Sequence, residues 1–142
     1  MFHLRPYQVN IHDETRALFK QGIKSVLIRL STGGGKTLLT ANMLNTAANK
    51  GFTSWFIVHR RELVKQTITA FSNIGVNNFG VVSNGFVEAK KHPIQICSIQ
   101  SLQRRLQYLP EPRFIAWDEC HHCSAGTYRK VYEAYKKAFH IG

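Results

Sequence analysis

Apolar and polar positions along the chain switch between two periods, and the switching predicts an alternating series of helices and strands. Gln8 to Gln21 carries helical spacing and Gly22 ends it, while Lys24 to Leu30 is apolar and β-branched, short enough to be a buried strand. Residues 31 to 35 form a loop, Lys36 to Asn49 a helix stopped at Gly51, and Thr53 to Val58 a second strand. Arg61 to Ser72 returns to helical spacing. After the turn residues Gly75, Asn77 and Asn78, short strands are predicted at Phe79 to Ser83 and Ile94 to Ser98, then a helix from about Ile99 to Gln107. Pro110 and Pro112 close that section. Phe114 to Trp117 is a four-residue apolar run, and Tyr128 to Phe139 reads as a last helix. Such alternation implies an α/β fold, a parallel sheet with helices on both faces. No repeat, low-complexity tract or linker interrupts it, and 142 residues suit one domain.

The loop after the first strand carries the chemistry. Ser31-Thr32-Gly33-Gly34-Gly35-Lys36-Thr37 follows Val26-Leu27-Ile28-Arg29-Leu30, so three glycines fall where a backbone must approach an anion and a helix aims its N-terminal amides. That is the layout of a phosphate-binding loop, a P-loop. Thr32, Gly33, Gly34 and Gly35 would cradle phosphates, Lys36 would neutralise β- and γ-phosphate charge, and the Thr37 hydroxyl is placed to ligate Mg²⁺. Leu30 stands where the full pattern opens with glycine, so the match rests on the last five residues and their context.

An acidic pair follows a later apolar strand, as a nucleotide site requires. Asp118 would sit at the C-terminal end of Phe114 to Trp117 and hold Mg²⁺ through water, with Glu119 orienting or deprotonating an attacking water. Ligands in open α/β sheets bind at that end of the strands. Capping of the next helix is the alternative use of the two carboxylates.

Composition narrows the partners. A formal net charge of +11, from 19 Lys plus Arg against 8 Asp plus Glu, favours a polyanion, nucleic acid first, over a merely solvated basic surface. No run approaches a membrane span, and the start Met-Phe-His-Leu-Arg-Pro lacks the apolar centre of a signal peptide. Three cysteines suggest reduced thiols and a cytoplasmic protein. Cys97 falls in a predicted strand as a small core residue. Cys120-His121-His122-Cys123 offers soft zinc ligands, but the neighbouring carboxylates already point to magnesium.

Asp118-Glu119-Cys120-His121 resembles the DExH motif of superfamily-two helicases and translocases, and the resemblance spans nearly the whole chain. Leu4-Arg5-Pro6-Tyr7-Gln8 resembles the Q-type motif, residues 31 to 37 motif I, Val58-His59-Arg60-Arg61-Glu62-Leu63 motif Ia, and Ile96-Cys97-Ser98-Ile99-Gln100-Ser101-Leu102 motif Ib. Ala125-Gly126-Thr127-Tyr128-Arg129 adds a flavour of the branch that includes type III restriction-enzyme motor subunits and repair helicases of the XPB kind. The resemblance implies a RecA-like first motor domain over residues 1 to 142 that uses ATP and Mg²⁺. It implies adenine recognition by Gln8 with Arg5 beside it, and coupling of the nucleotide site to the next motif by His121. Nucleic acid, DNA by family branch rather than RNA, would be held by Arg60, Arg61, Ser98, Gln100 and Ser101. Ser98 replaces a frequent Thr and keeps the hydroxyl.

Family members continue into a Ser/Thr-Ala-Thr type motif and a second RecA-like domain that supplies arginine fingers, worth about 10³ to 10⁵ in turnover. The sequence stops at Gly142, which implies a fragment or truncated product needing that second domain in cis or in trans. Two readings compete with a DNA motor: a non-catalytic ATP-dependent nucleic-acid-binding module, and a motor that tracks RNA.

Overall fold

The computed structural model describes residues 4–30, 35–86, 89–119 and 125–142. In chain order they form α1 (Pro6–Lys20), β1 (Ser25–Val26), α2 (Lys36–Asn49), β2 (Ser54–Val58), α3 (Glu62–Asn73), β3 (Phe79–Val82) and β4 (Ile94–Ser98). Then come α4 (Ile99–Arg105), a 3₁₀ turn (Leu106–Tyr108), β5 (Phe114–Trp117), α5 (Ala125–Ala134) and β6 (Phe139–Ile141). The strands make one sheet in the order β1-β6-β5-β2-β4-β3, and every pairing is parallel.

All five residues of β2 are buried, because both faces of this central strand are covered. Phe56 and Val58 face a core shared with Leu39 and Leu44 of α2 and Val64 and Phe71 of α3. Trp55 and Ile57 face the other, shared with Leu102 of α4 and Val131 of α5. The two-residue period of a strand thus sorts its side chains into two cores, and the predicted α/β architecture is the one observed. Cys97 packs in the second core, where burial pushes its thiol pKa up.

Three predicted elements are corrected. The first strand is not buried from Lys24 to Leu30. β1 is an edge strand whose exposure alternates, with Leu27 62% exposed and Ile28 buried. Pairing to β6 does continue past its formal end, since Gly142 N donates to Val26 O and Ile28 N to Gly142 O. The last helix does not reach Phe139. It runs Ala125–Ala134, Tyr135 closes it by donating to Val131 O and Tyr132 O, and Phe139 enters β6 with its N–H on Arg113 O. No glycine or proline marks that stop, so spacing alone carried the helix too far. The helix after β4 ends at Arg105, its last residues tightening into the 3₁₀ turn.

β6 is fixed to β5 through its one histidine. Trp117 Nε1 donates to His140 Nδ1 at 3.1 Å, and His140 Nε2 lies 3.1 Å from Tyr135 O. The indole is only a donor, so Nδ1 must accept and the ring proton sits on Nε2, where it donates to the carbonyl. A second proton would face the indole N–H. Burial lowers the His140 pKa below 6.5, partly offset by the bond to Tyr135. No helix among the described residues is long and apolar enough to cross a membrane.

A folded-state pKa below the unfolded value makes the neutral ring the stabilising form, so stability is complete above about pH 6.5 and falls as pH drops through that value. Denaturant unfolding at pH 7.5 and 5.5 should show this loss. His140→Phe should cost about 1–3 kcal/mol at pH 7.5, because it strands the buried Trp117 N–H. It should also flatten the pH dependence; an equally steep variant would place the responsible group elsewhere.

Candidate nucleotide site at the strand ends

Four segments meet where the strands end. β2 pairs with both β5 and β4, aligning Ile57 with Trp117 and Val58 with Ser98. His59, Asp118 and the start of α4 are therefore level with one another. Asp118 N still donates to Ile57 O at 2.9 Å, so the acidic residue is held by the last rung of the sheet.

Asp118 is half-buried, and desolvation raises its pKa above 3.8. The charge of Glu119 pushes the same way, while Lys36 and His59 pull it down. The loop lysine and Asp118 thus lie within electrostatic reach of one another. His59 was not among the predicted site residues. Its place follows from strand register, which no local sequence signal carries. Glu119 is exposed and adopts φ 52°, the left-handed region, which costs a non-glycine residue about 1–2 kcal/mol. Strain of this kind concentrates where a side chain must be aimed.

On the loop side, Gly35 caps α2 at φ 76°. That conformation favours glycine, and a Cβ there would lie 2.6 Å from Gln8 Nε2, so the Gln8 amide would have to shift. Gln8 is buried, and its Oε1 accepts from Arg5 N at 2.9 Å. That bond caps α1 and turns the amide nitrogen toward the phosphate loop. Lys36 and Thr37 form the first turn of α2 and are half-buried. Arg5 is exposed. Thr32, Gly33, Gly34 and His121 lie outside the described residues, as do Cys120, His122 and Cys123.

The five predicted nucleic-acid residues occupy the same edge with unequal exposure. Arg60, Arg61 and Gln100 are exposed, whereas Ser98 and Ser101 are buried. Gln100 Nε2 donates to His59 O at 3.0 Å, tying the segment after β2 to α4. The Ser98 hydroxyl is buried with no hydrogen-bond partner among the described residues.

Among the described residues, no group of three or more His, Cys, Asp and Glu could hold a metal ion. The donors do fit Mg²⁺, a hard cation that takes one or two protein oxygens and keeps its waters. Asp118 would supply a carboxylate, half-buried beside Glu119, whose charge a cation would offset. Thr37 supplies a hydroxyl.

The family model described as "Type III restriction enzyme, res subunit" matches residues 1–142. IRC3 of Saccharomyces cerevisiae, an ATP-dependent helicase by name, is 30% identical over 144 residues, covering 94% of this chain and 21% of its own. A 51.5 kDa protein of a Lactococcus phage is 29% identical over 116 residues, covering 82% and 23%. The chain therefore spans about a fifth of the length of these relatives. Among solved structures, the Sulfolobus solfataricus SWI2/SNF2 ATPase core in complex with dsDNA superposes with a TM-score of 0.79 at 21% identity. It covers 99% of this chain and 31% of that one. The UvsW helicase of bacteriophage T4 gives 0.78 at 16% identity, with 99% and 52% covered. At these identities the two show a common fold.

A carboxylate whose folded-state pKa is raised destabilises the fold progressively as pH rises above about 3.8, so at neutral pH the Asp118 charge is a cost. Asp118→Asn should raise the melting temperature of the metal-free domain at pH 7.5 and remove stabilisation by Mg²⁺ with nucleotide. A lower melting temperature would mean that structural bonds, not a metal, claim the carboxylate.

Proposed function

Because this chain belongs to the type III restriction enzyme res-subunit family, we propose that it is the nucleotide-binding motor domain of an ATP-dependent DNA helicase or translocase. The observation that carries this reading is that Lys36, opening α2, lies near enough to Asp118 at the end of β5 for its charge to lower that carboxyl's pKa. In the proposed site, residues 32 to 37 bind the phosphates, Lys36 countering their charge, and Gln8 and Arg5 attend the base. Thr37 and Asp118 would hold Mg²⁺, which supplies charge neutralisation between the phosphates. Glu119 orients the attacking water and accepts its proton, and His121 relays the state of the site to the segment that follows. The left-handed backbone of Glu119 supports that role, since such strain concentrates at functional residues.

Nucleic acid would lie across Arg60, Arg61 and Gln100, with the hydroxyls of Ser98 and Ser101 reached from the same edge. These groups suit phosphates and sugars rather than base edges, so DNA is favoured by the kinship with restriction-enzyme subunits. RNA stays in the test because L396 of Acanthamoeba polyphaga mimivirus, an RNA helicase by name, is 28% identical over 144 residues. Closure of a second RecA-like domain over the nucleotide would supply the arginine finger, and a cytosolic setting suits the free Cys97 thiol. If that domain never joins, the site becomes a nucleotide-sensitive binding module without turnover.

In a protein carrying both motor domains, Glu119→Gln should lower DNA-stimulated ATP turnover by about 10²–10⁴ while leaving nucleotide binding intact. Lys36→Ala should weaken nucleotide binding itself. Turnover unchanged in both variants would refute the motor reading, and stronger stimulation by single-stranded RNA than by either form of DNA would change its track.

A further inference from the structure

At the opposite edge of the sheet, α1, α2 and the chain entering β2, β5 and β6 surround a groove of about 410 Å³. That volume is in the range of sites that seat a ligand. Five cationic or titratable side chains line it: His12, Arg16 and Lys20 from α1, Lys50 after α2, and Arg113 before β5. Steps of four residues place the three α1 side chains on one helix face, over about 12 Å. No carboxylate lines the groove among the described residues. Arg16 and Lys20 are like charges one helical turn apart, so an anion lying along this face would relieve their repulsion.

The floor says what the rest of that anion looks like. Phe19, Phe114 and Phe139 pack on one another with ring centroids 4.7 to 5.9 Å apart, and Phe52 meets Phe114 edge-on at 6.0 Å. Lys24 Nζ sits 3.9 Å from the Phe139 centroid, and the Arg113 guanidinium lies 5.1 Å from Phe139 and 5.7 Å from Phe52. Cations thus already occupy faces of Phe139 and Phe52, where a stacked nucleobase would have to compete with them. Polar recognition is equally sparse: the Thr15 and Thr46 hydroxyls donate to Ile11 O and Asn42 O in their own helices. What the groove offers is apolar ring edges and the side chains of Met43 and Leu44, framed by cations.

We propose that this groove docks an acidic segment of a partner polypeptide, seating one large apolar side chain among the phenylalanine edges and its carboxylates on the cations of α1, Lys50 and Arg113. Its length matches several charges on a flexible chain rather than one headgroup. His12 reports on the same field: burial, then Arg16 and Lys50, lower its pKa, and Asp13 alone raises it. A bound carboxylate therefore moves the His12 titration upward.

The test is selection of a displayed random dodecapeptide library on this chain, counter-selected on the double variant Arg16→Glu/Lys50→Glu. Each reversal removes two charges, so the variant falls from +11 to +7 and remains basic enough to retain non-specific binders. Sequences with several Asp or Glu around a Leu, Met, Phe or Trp should be enriched and bind the parent chain at least tenfold more tightly than the variant. On the parent chain they should shift the His12 ring resonances and raise its titration midpoint, a readout that does not depend on the variant folding. Enrichment without acidic residues, equal binding to a folded variant, or an unmoved His12 overturns the proposal. So does a thymidine dodecanucleotide that displaces the peptides and shifts His12 itself, which would assign the groove to nucleic acid.

Discussion

The register of β2 against its two neighbours is the constraint from which the functional edge follows. Its hydrogen bonds to β5 and β4 bring Asp118 and Ser98 to one level, although they are far apart in sequence. A slip of one residue would turn Trp55 and Ile57 into the core of Phe56 and Val58, exchanging two differently shaped halves of the interior. Registration of the site is therefore enforced by packing well below it. Burial of all five β2 residues supplies rigidity that the strand-end residues, half of them exposed, cannot supply themselves.

Against that rigid frame, the site accumulates local costs. Asp118 is desolvated beside a second carboxylate, Glu119 occupies a left-handed backbone conformation, and the Ser98 hydroxyl is buried with no partner among the described residues. Each opposes folding. They share a direction, since a cation beside Asp118 and polar ligand atoms at the strand ends would offset them. A folded chain with costs concentrated at one edge is built to gain free energy when that edge is filled.

Much of this was readable in the sequence where one residue type has one use. The glycines before Lys36, the apolar run before Asp118, and α2 with its boundaries at Lys36 and Asn49 depend on local chemistry alone. What escaped was relational. β1 reads as a buried strand because its residues are apolar, yet its place at the sheet edge exposes Leu27. Phe139 fits a helical period, yet Phe114 and Phe19 claim it for the sheet. His59 becomes a site residue only through register, and the bond from Arg5 N fixes which end of the Gln8 amide faces the loop.

Net charge illustrates the same limit. A surplus of +11 suggests one nucleic-acid surface, but some of the described cations gather at each of the two ends of the strands. Arg60 and Arg61 stand at the C-terminal strand ends, and Arg16, Lys20, Lys50 and Arg113 ring the groove at the other. One nucleic-acid strand following the first edge displaces counterions only there, so the slope of its affinity against salt counts the phosphates neutralised at that edge and not the chain's total charge. A slope too shallow for the composition is then the expected behaviour of a domain whose basic residues are divided between two ends of the sheet.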